Sequence, residues 1–390
     1  MIQQISRFMT KTTLYHGIGA AELVGVEAKK CGFKKVMLVC DPQVRGAGLL
    51  EGVETSLKEH RLNYEIFDGI EEDADVQTVH QIARRIRESS CNGVVVVGGG
   101  SSMCAAKGAA LEVTNEVESI RELEGVNQYK SPPLPVICLP TTAGSGTDVS
   151  CGFPIVDKDR GREFSIAGEH VQPAVSILDP LFLKTCPRQP MIYAGLDALT
   201  HAVEALWGMK ATVLTDALAY EAIRLIMANL RKAALTDDLE AKSNQLLASV
   251  IANFAGGNAS MGIIHGIAVS TGTLKGPHGF KCGMLLPHGI EFNMSVCEEK
   301  LAKAATILGE IPSDKPPPQL ARLFLHKVKH LLDDLEFPRK FEPENLSRDR
   351  IPQLIKEVRK HIPPFLETNL RPVTDEDVAN ICEATLKGWS

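Results

Sequence analysis

Short, almost uninterrupted apolar runs recur through the first half of the chain, and helical patterns separate them. Runs of this kind predict strands of a parallel sheet, because helices pack on both faces of such a sheet and bury every side chain. The runs that show this pattern are Lys35–Asp41, Gly93–Gly98, Leu134–Leu139 and Val175–Asp179.

The pattern changes after Asp179-Pro180, where long helical periodicities replace the strands. The clearest of them, Leu214–Leu235 and Leu239–Phe254, predict two consecutive helices. We therefore predict two domains. The first is an α/β domain with a parallel sheet over residues 1–185, and the second is an all-α domain over residues 186–390.

Composition and charge narrow the class of protein. A chain of 390 residues with 44% hydrophobic content can bury a large core. A net charge of -6 gives no electrostatic footprint for nucleic acid or an anionic membrane. The sequence shows neither a bilayer-spanning apolar run nor an export signal, and its ten cysteines form no C-x-x-C pair. We expect a cytoplasmic protein with reduced thiols.

The stretch Gly195–Glu204 carries the strongest chemical signal. It places Asp197 and His201 four residues apart, and residues at this spacing share one face of a helix. Two more histidines, His265 and His278, follow in glycine-rich contexts. Taken singly, each residue is best interpreted as a buried polar group. Together, one carboxylate and three imidazoles form a complete ligand set for a divalent first-row metal and indicate a metal-dependent catalyst.

Two loops predicted to follow strands indicate a nucleotide site. In the first, three glycines at 98–100 precede a helical stretch, so a phosphate would meet open backbone and the N–H groups of a helix N-terminus. In the second, residues 140–148 are rich in hydroxyls and glycines that suit a phosphate or a ribose. An ordinary turn is the alternative for each loop. The residues expected to contact the cofactor are Gly99, Gly100, Ser101, Ser102, Thr141, Thr142 and Ser145.

Three further residues have interpretations of their own. Asp41 ends a predicted strand, where its carboxylate would bind an adenosine ribose; the alternative is that it caps the next turn. Cys104 is expected in the first turn of the helix after the glycine loop, where the helix dipole would favour a reactive thiolate. The alternative is a buried, inert cysteine. His288 is interpreted as structural.

In their order along the chain, these segments resemble the iron-containing (group III) alcohol dehydrogenases, which are related to glycerol dehydrogenase and dehydroquinate synthase. The resemblance covers nearly the whole chain. One part of it is Tyr15–Gly19, which is similar to the opening hairpin of the family. Besides the loops and the helix already described, it extends to residues 258–262, 277–279, 286–288 and 369–372.

The resemblance implies a dehydroquinate synthase-like fold, with a nucleotide-binding α/β domain, a helical domain and a metal in the cleft between them. It implies Fe²⁺ as the metal, although the same ligands also suit Zn²⁺. The residues that match the metal ligands of the family are Asp197, His201, His265 and His278.

For the cofactor, the resemblance implies that the glycine loop binds a diphosphate and that Thr141 and Thr142 also make contacts. An acidic residue at the position of Asp41 goes with NAD(H) rather than NADP(H). The implied activity is that of a metal-dependent, NAD(P)-linked oxidoreductase. It interconverts a small alcohol and an aldehyde or ketone by hydride transfer. We also expect a homodimer or a higher homo-oligomer.

Three positions depart from the pattern of many relatives, which have aspartate at Cys104, lysine at Glu163 and histidine at Val269. The first two bear on cofactor contacts. The third removes the usual acid–base group, so we assign no catalytic proton-transfer residue. Two alternatives therefore stay open: a non-redox enzyme on the same scaffold, and a nucleotide-binding protein that has lost catalysis.

Overall fold

The computed structural model describes residues 5–70, 74–270, 272–309, 315–361 and 363–389. The chain divides into two compact units. One is Thr10–Cys186, and the other is Pro187–Ser390 together with the segment that ends at Met9. Across the described ranges, every helix is too short or too polar to cross a membrane.

Thr10–Cys186 is built on a six-stranded, fully parallel sheet with the strand order β1-β9-β6-β4-β2-β3. A second, three-stranded sheet has the order β5-β8-β7. The strands are β1 Thr13–His16, β2 Lys35–Cys40, β3 Asn63–Phe67, β4 Gly93–Gly98, β5 Gly125–Val126, β6 Val136–Pro140, β7 Gly152–Asp157, β8 Arg162–Ala167 and β9 Val175–Leu178. The α-helices are α1 Val24–Lys30, α2 Pro42–Gly46, α3 Glu51–Glu59, α4 Val76–Ser89 and α5 Gly100–Asn115.

The central strands are almost entirely apolar because both faces of the sheet are covered. On β2, Val36 and Leu38 face one hydrophobic cluster, whereas Met37 and Val39 face the other. The same alternation continues on β4, whose six residues are all buried. Successive side chains of a strand point to opposite faces, so a continuous apolar run is what two covered faces require. The predicted α/β architecture is confirmed.

The structure corrects the prediction at the start of the chain and adds a sheet that was not predicted. Tyr15–Gly19 is not a hairpin, because β1 pairs in parallel with β9 and the chain then enters a short helical turn. The added sheet contains an antiparallel pair, β7 with β8, whose connection includes Gly161 at φ 62°. That left-handed conformation is readily adopted by glycine.

The second unit is helical, as predicted. Its largest hydrophobic cluster joins residues of all the long helices, and both predicted helices are present as α7 and α8. The helix α10 contains Pro287 and has a kink at Cys297, where the backbone leaves helical geometry. The helices are α6 Arg188–Ala205, α7 Val213–Leu235, α8 Leu239–Ala259, α9 Ile263–Ala268, α10 His278–Ile307, α11 Pro317–Asp334, α12 Ile351–His361, α13 Pro363–Glu367 and α14 Asp375–Lys387.

Candidate active site

The helix α6 carries three ionisable side chains that are all buried: Asp197, His201 and Glu204. Their spacing of four and then three residues places them on one face of the helix. Burying such groups costs free energy unless each finds a partner. The side chains nearest to them come from α9 and α10.

Glu204 orients the ring of His265 through hydrogen bonds. Its carboxylate accepts hydrogen bonds from the backbone N–H of Ile264 at 2.7 Å and from that of His265 at 3.3 Å. It also accepts a 2.6 Å bond from His265 Nδ1. An ionised carboxylate can only accept, so Nδ1 carries a proton and Nε2 is the ring atom left to bind a metal. Metal-binding histidines commonly donate the N–H of their second ring nitrogen to a carboxylate, which fixes the orientation of the imidazole.

The start of α9 is fixed by a second distant side chain. Asn369 Oδ1 accepts the backbone N–H of Ile263 at 3.3 Å, while Asn369 Nδ2 donates to Asn293 Oδ1 at 2.8 Å. A Cβ on Gly262 would lie 2.5 Å from Asn369 Oδ1, which is closer than atoms can approach. Glycine before α9 therefore lets the two capping side chains reach the first N–H groups of the helix.

His278 is the first residue of α10, and glycine follows it because α10 crosses α6 closely. A Cβ on Gly279 would lie 2.1 Å from the backbone oxygen of Tyr193 in α6. Because a backbone carbonyl cannot rotate away as a side chain does, only glycine fits there without moving a helix.

We expect Gly279→Ala to lower the free energy of unfolding by about 1–3 kcal/mol, the usual cost of overpacking. The displaced start of α10 should also weaken metal binding through His278. The matched control is Gly257→Ala in α8, where a Cβ would make only an ordinary 3.7 Å contact. Chemical denaturation and metal titration measure both effects. Equal stability of the two variants would contradict the close crossing of α6 and α10.

The ligand atoms of four residues from α6, α9 and α10 lie within 4.8 Å of one another. Asp197 Oδ1 is 3.5 Å from His265 Nε2 and 3.4 Å from His278 Nε2. The fourth member is Cys282, whose Sγ lies 3.5 Å from His278 Nε2. The ring of His201 stacks on that of His265, with centroids 4.5 Å apart. The structure thus gathers three of the predicted residues, Asp197, His265 and His278, and adds Cys282, which was not predicted. His201 lies outside this group and is joined to it through its ring contact with His265.

The chemistry of these donors fits a divalent cation. Within the described ranges, Asp197 Oδ1, His201 Nδ1 and His265 Nε2 are buried without a hydrogen-bond partner, and each such orphan atom costs about 1–3 kcal/mol. Burial lowers the pKa of His201 to about 3, so this ring is neutral and able to bind a metal. Burial opposes charge on Asp197 too, but its interactions with the surrounding histidine rings lower its pKa well below the ordinary value.

Charge also favours a cation in this cluster. Burial disfavours a charged ring at His265, yet the carboxylates of Asp197 and Glu204 outweigh burial and raise its pKa to about 9. The environment therefore attracts positive charge, which a bound metal would supply in place of the proton.

His288, on the same helix as His278, lies against Trp389 with ring centroids 6.4 Å apart. Burial lowers the pKa of His288 to about 4.

In the first unit, the predicted cofactor residues come together at the carboxyl ends of β2, β4 and β6, which are neighbours in the sheet. The N-terminus of α5 lies there. A Cβ on Gly99 would lie 3.3 Å from Thr142 Oγ1, and one on Gly100 would lie 3.2 Å from Ser145 Oγ. Thr141 N–H donates to the backbone oxygen of Gly98 at 3.0 Å. The glycine loop and the hydroxyl-rich loop are therefore in contact.

The remaining serines and Asp41 border the same loops. Ser102 is buried beneath Gly98, whose Cβ would lie 2.5 Å from Ser102 Oγ, while the partly buried Ser101 precedes it in the first turn of α5. Asp41 caps α2, because its Oδ1 accepts the N–H of Val44 at 2.8 Å. Its Oδ2 lies 3.7 Å from the position of a Cβ on Gly98. Asp41 therefore caps the next turn, as the alternative interpretation has it. Its second carboxylate oxygen lies next to the glycine loop.

The prediction of a reactive thiolate at Cys104 is wrong. The helix α5 begins at Gly100, so Cys104 lies beyond its first turn and is buried. Burial raises its pKa to about 12, and the nearby carboxylate of Glu163 on β8 adds to the increase. The thiol is protonated at neutral pH, which supports the alternative of an inert core cysteine.

Comparison with known proteins identifies the class. Residues 11–180 match the model for iron-containing alcohol dehydrogenase, and residues 191–386 match the C-terminal model for the Fe-containing alcohol dehydrogenase family. The chain belongs to the iron-containing alcohol dehydrogenase family. It is an oxidoreductase with a metal-dependent alcohol–aldehyde redox function.

Individual relatives match over almost their full length. The chain is 31% identical to 1,3-propanediol dehydrogenase of Citrobacter freundii, covering 96% of this chain and 97% of the relative. It is 30% identical to the NAD-dependent methanol dehydrogenase of Bacillus methanolicus, covering 95% and 97%. Among solved structures, a 1,3-propanediol oxidoreductase superposes with a TM-score of 0.93 at 29% identity, covering 97% of this chain and 99% of the other.

Proposed function

We propose that Asp197, His201, His265 and His278 hold one divalent metal, Fe²⁺ in the functional enzyme, and that the first unit binds NAD(H). The observation that carries the proposal is the set of buried donor atoms on α6 and α9, Asp197 Oδ1, His201 Nδ1 and His265 Nε2, that lack hydrogen-bond partners among the described residues. A metal bound there would polarise the substrate oxygen as a Lewis acid, and the nicotinamide would exchange the hydride.

Residues around the proposed metal site orient its ligands and leave one side of it open to substrate. Glu204 fixes the His265 tautomer that directs Nε2 toward Asp197. The side chain of His278 is 39% exposed, whereas those of Asp197 and His265 are nearly fully buried, so a substrate reaches the donor cluster on the side of His278. Val269, four residues after His265, ends α9 and has no titratable group, so it cannot transfer a proton.

For the cofactor, the proposed contacts are backbone groups and hydroxyls. The N-terminus of α5 offers backbone N–H groups and the positive end of a helix dipole to a diphosphate. The hydroxyls of Thr142 and Ser145 border Gly99 and Gly100, where the absence of a side chain leaves room for the phosphates.

We predict that Asp41 makes the enzyme prefer NAD(H) over NADP(H). Its carboxylate would repel a 2′-phosphate by about 1–3 kcal/mol in a partly desolvated site, or roughly 5- to 150-fold in kcat/KM. Asp41→Asn should relax the preference while keeping the cap on α2, since asparagine caps helices as well as aspartate. Steady-state kinetics with both cofactors measure the ratio. An unchanged ratio in Asp41→Asn would remove Asp41 from this role.

Short alcohols and aldehydes are the proposed substrates. The relatives include a lactaldehyde reductase of Escherichia coli besides the propanediol and methanol dehydrogenases, and all of these names refer to compounds of one to three carbons. The test is oxidation of NADH with a panel of such aldehydes, using protein freed of metal and then reloaded with Fe²⁺ or Zn²⁺. Metal-dependent turnover is expected. Turnover that does not need metal would contradict the proposal, and its absence under all conditions would favour a protein that has lost catalysis.

We further propose a cytoplasmic homo-oligomer, a homodimer or larger. All ten cysteines are thiols outside any disulfide bond, which is typical of a reducing compartment. Light scattering coupled to size-exclusion chromatography will give the number of subunits. A monomer of 42.3 kDa would contradict this assignment.

A further inference from the structure

Cys282 lies on α10 one helical turn after His278, so the two side chains share a face of the helix. Its Sγ is 3.5 Å from His278 Nε2, and it belongs to the four-residue group whose ligand atoms lie within 4.8 Å of one another. The residue is fully buried.

A second, independent observation points to a ligand at this place. Asp197 Oδ1 and His265 Nε2 belong to the same group and, among the described residues, neither has a hydrogen-bond partner. Their side chains are only 6% and 5% exposed. Two such atoms beside a buried sulfur make a mixed oxygen, nitrogen and sulfur donor set, which is the chemistry of a zinc-type site.

We propose that Cys282 supplies a thiolate ligand to the metal bound by Asp197, His201, His265 and His278, and that this sulfur adds more to the affinity for a thiophilic ion such as Zn²⁺ than to the affinity for Fe²⁺. This inference rests on the proposed metal site and extends it by one donor. On binding, the S–H bond breaks, its proton passes to solvent and a sulfur lone pair forms the bond to the metal. No electron is transferred, so the step needs no oxidant or reductant.

The selectivity of the site follows from the softness of sulfur. Zn²⁺ already exceeds Fe²⁺ in affinity for a given set of donors, and a thiolate widens the difference. We therefore expect Cys282→Ala to lower the affinity for Zn²⁺ by about tenfold or more while lowering that for Fe²⁺ less.

The test uses the full-length protein, freed of metal and loaded with Co²⁺ as a spectroscopic probe. A thiolate bound to Co²⁺ gives a charge-transfer absorption in the near ultraviolet, separate from the visible bands that report any bound Co²⁺. We expect this absorption in the wild-type protein and its loss in Cys282→Ala and Cys282→Ser. The matched control is Cys382→Ala, a buried cysteine of α14 outside the donor group, which should keep the absorption.

A measurement without any variant is the X-ray absorption spectrum of the Zn²⁺-loaded protein, where a sulfur neighbour at about 2.3 Å is expected. Stoichiometric metal with neither the sulfur neighbour nor the charge-transfer absorption would overturn the role of Cys282 and leave the metal site standing. Persistence of the absorption in Cys282→Ala would also overturn it. Failure of the wild-type protein to bind Co²⁺ or Zn²⁺ would overturn both proposals.

Discussion

Replacing His278 with alanine is expected to weaken binding of Fe²⁺ or Zn²⁺ by at least about 100-fold. Loss of a residue that only hydrogen-bonds to a metal ligand already costs about 10- to 100-fold in metal affinity, and loss of a ligand itself should cost more. The variant removes a nitrogen atom that lies 3.4 Å from Asp197 Oδ1. The buried carboxylate then has one donor atom fewer beside it to bind the same metal ion. Competition against a chelator of known affinity gives the dissociation constant, under anaerobic conditions for Fe²⁺.

The chain offers a matched control on the same helix. His288 is also buried on α10, but it packs against Trp389 and lies outside the donor group. His288→Ala should lower the free energy of unfolding through lost packing and leave metal affinity unchanged. Stoichiometric metal at wild-type affinity in His278→Ala, or an equal loss in both variants, would count against the assignment of the site.

The parallel sheet could be predicted because burial on two faces leaves a local signature. Every residue of β4 is buried, and the sequence there reads as a plain apolar run. The first strand had no comparable signal. Thr13–His16 pairs with Val175–Leu178, about 160 residues further on, and its burial pattern mixes exposed and half-buried positions. Pairing over such a distance is decided by the completed sheet, which a local pattern cannot report.

The donor cluster was predictable where the helix was recognisable. Asp197 and His201 lie four residues apart on α6, and the sequence around them is plainly helical. His278 and Cys282 have the same spacing on α10. That signal is weaker in the sequence, because a proline and two glycines, which are poor helix formers, surround His278. The structure shows that Pro277 caps a helix that begins at His278 itself.

The buried carboxylate of Glu204 carries the second large effect. Glu204→Gln should weaken metal binding by about 10- to 100-fold, because the amide cannot hold the proton on His265 Nδ1 as the carboxylate does. Both carboxylate oxygens are occupied: one accepts from Ile264 N–H, and the other accepts from His265 N–H and Nδ1. Glutamine has a single oxygen, so its NH₂ group would face a donor and leave buried N–H groups unpaired at about 1–3 kcal/mol.

The loss of stability and the loss of metal affinity can be separated with a second buried glutamate. Glu112 accepts a 3.0 Å bond from His80 Nδ1 in the other unit, where neither residue belongs to the donor group. Glu112→Gln should lower the free energy of unfolding but not the affinity for Zn²⁺. Nitrogen NMR of His265 gives an independent reading, since the proton should leave Nδ1 for part of the population in Glu204→Gln. If Glu204→Gln is destabilised yet binds Zn²⁺ as the wild type does, Glu204 serves only the fold, and His265 is oriented by its packing against the ring of His201.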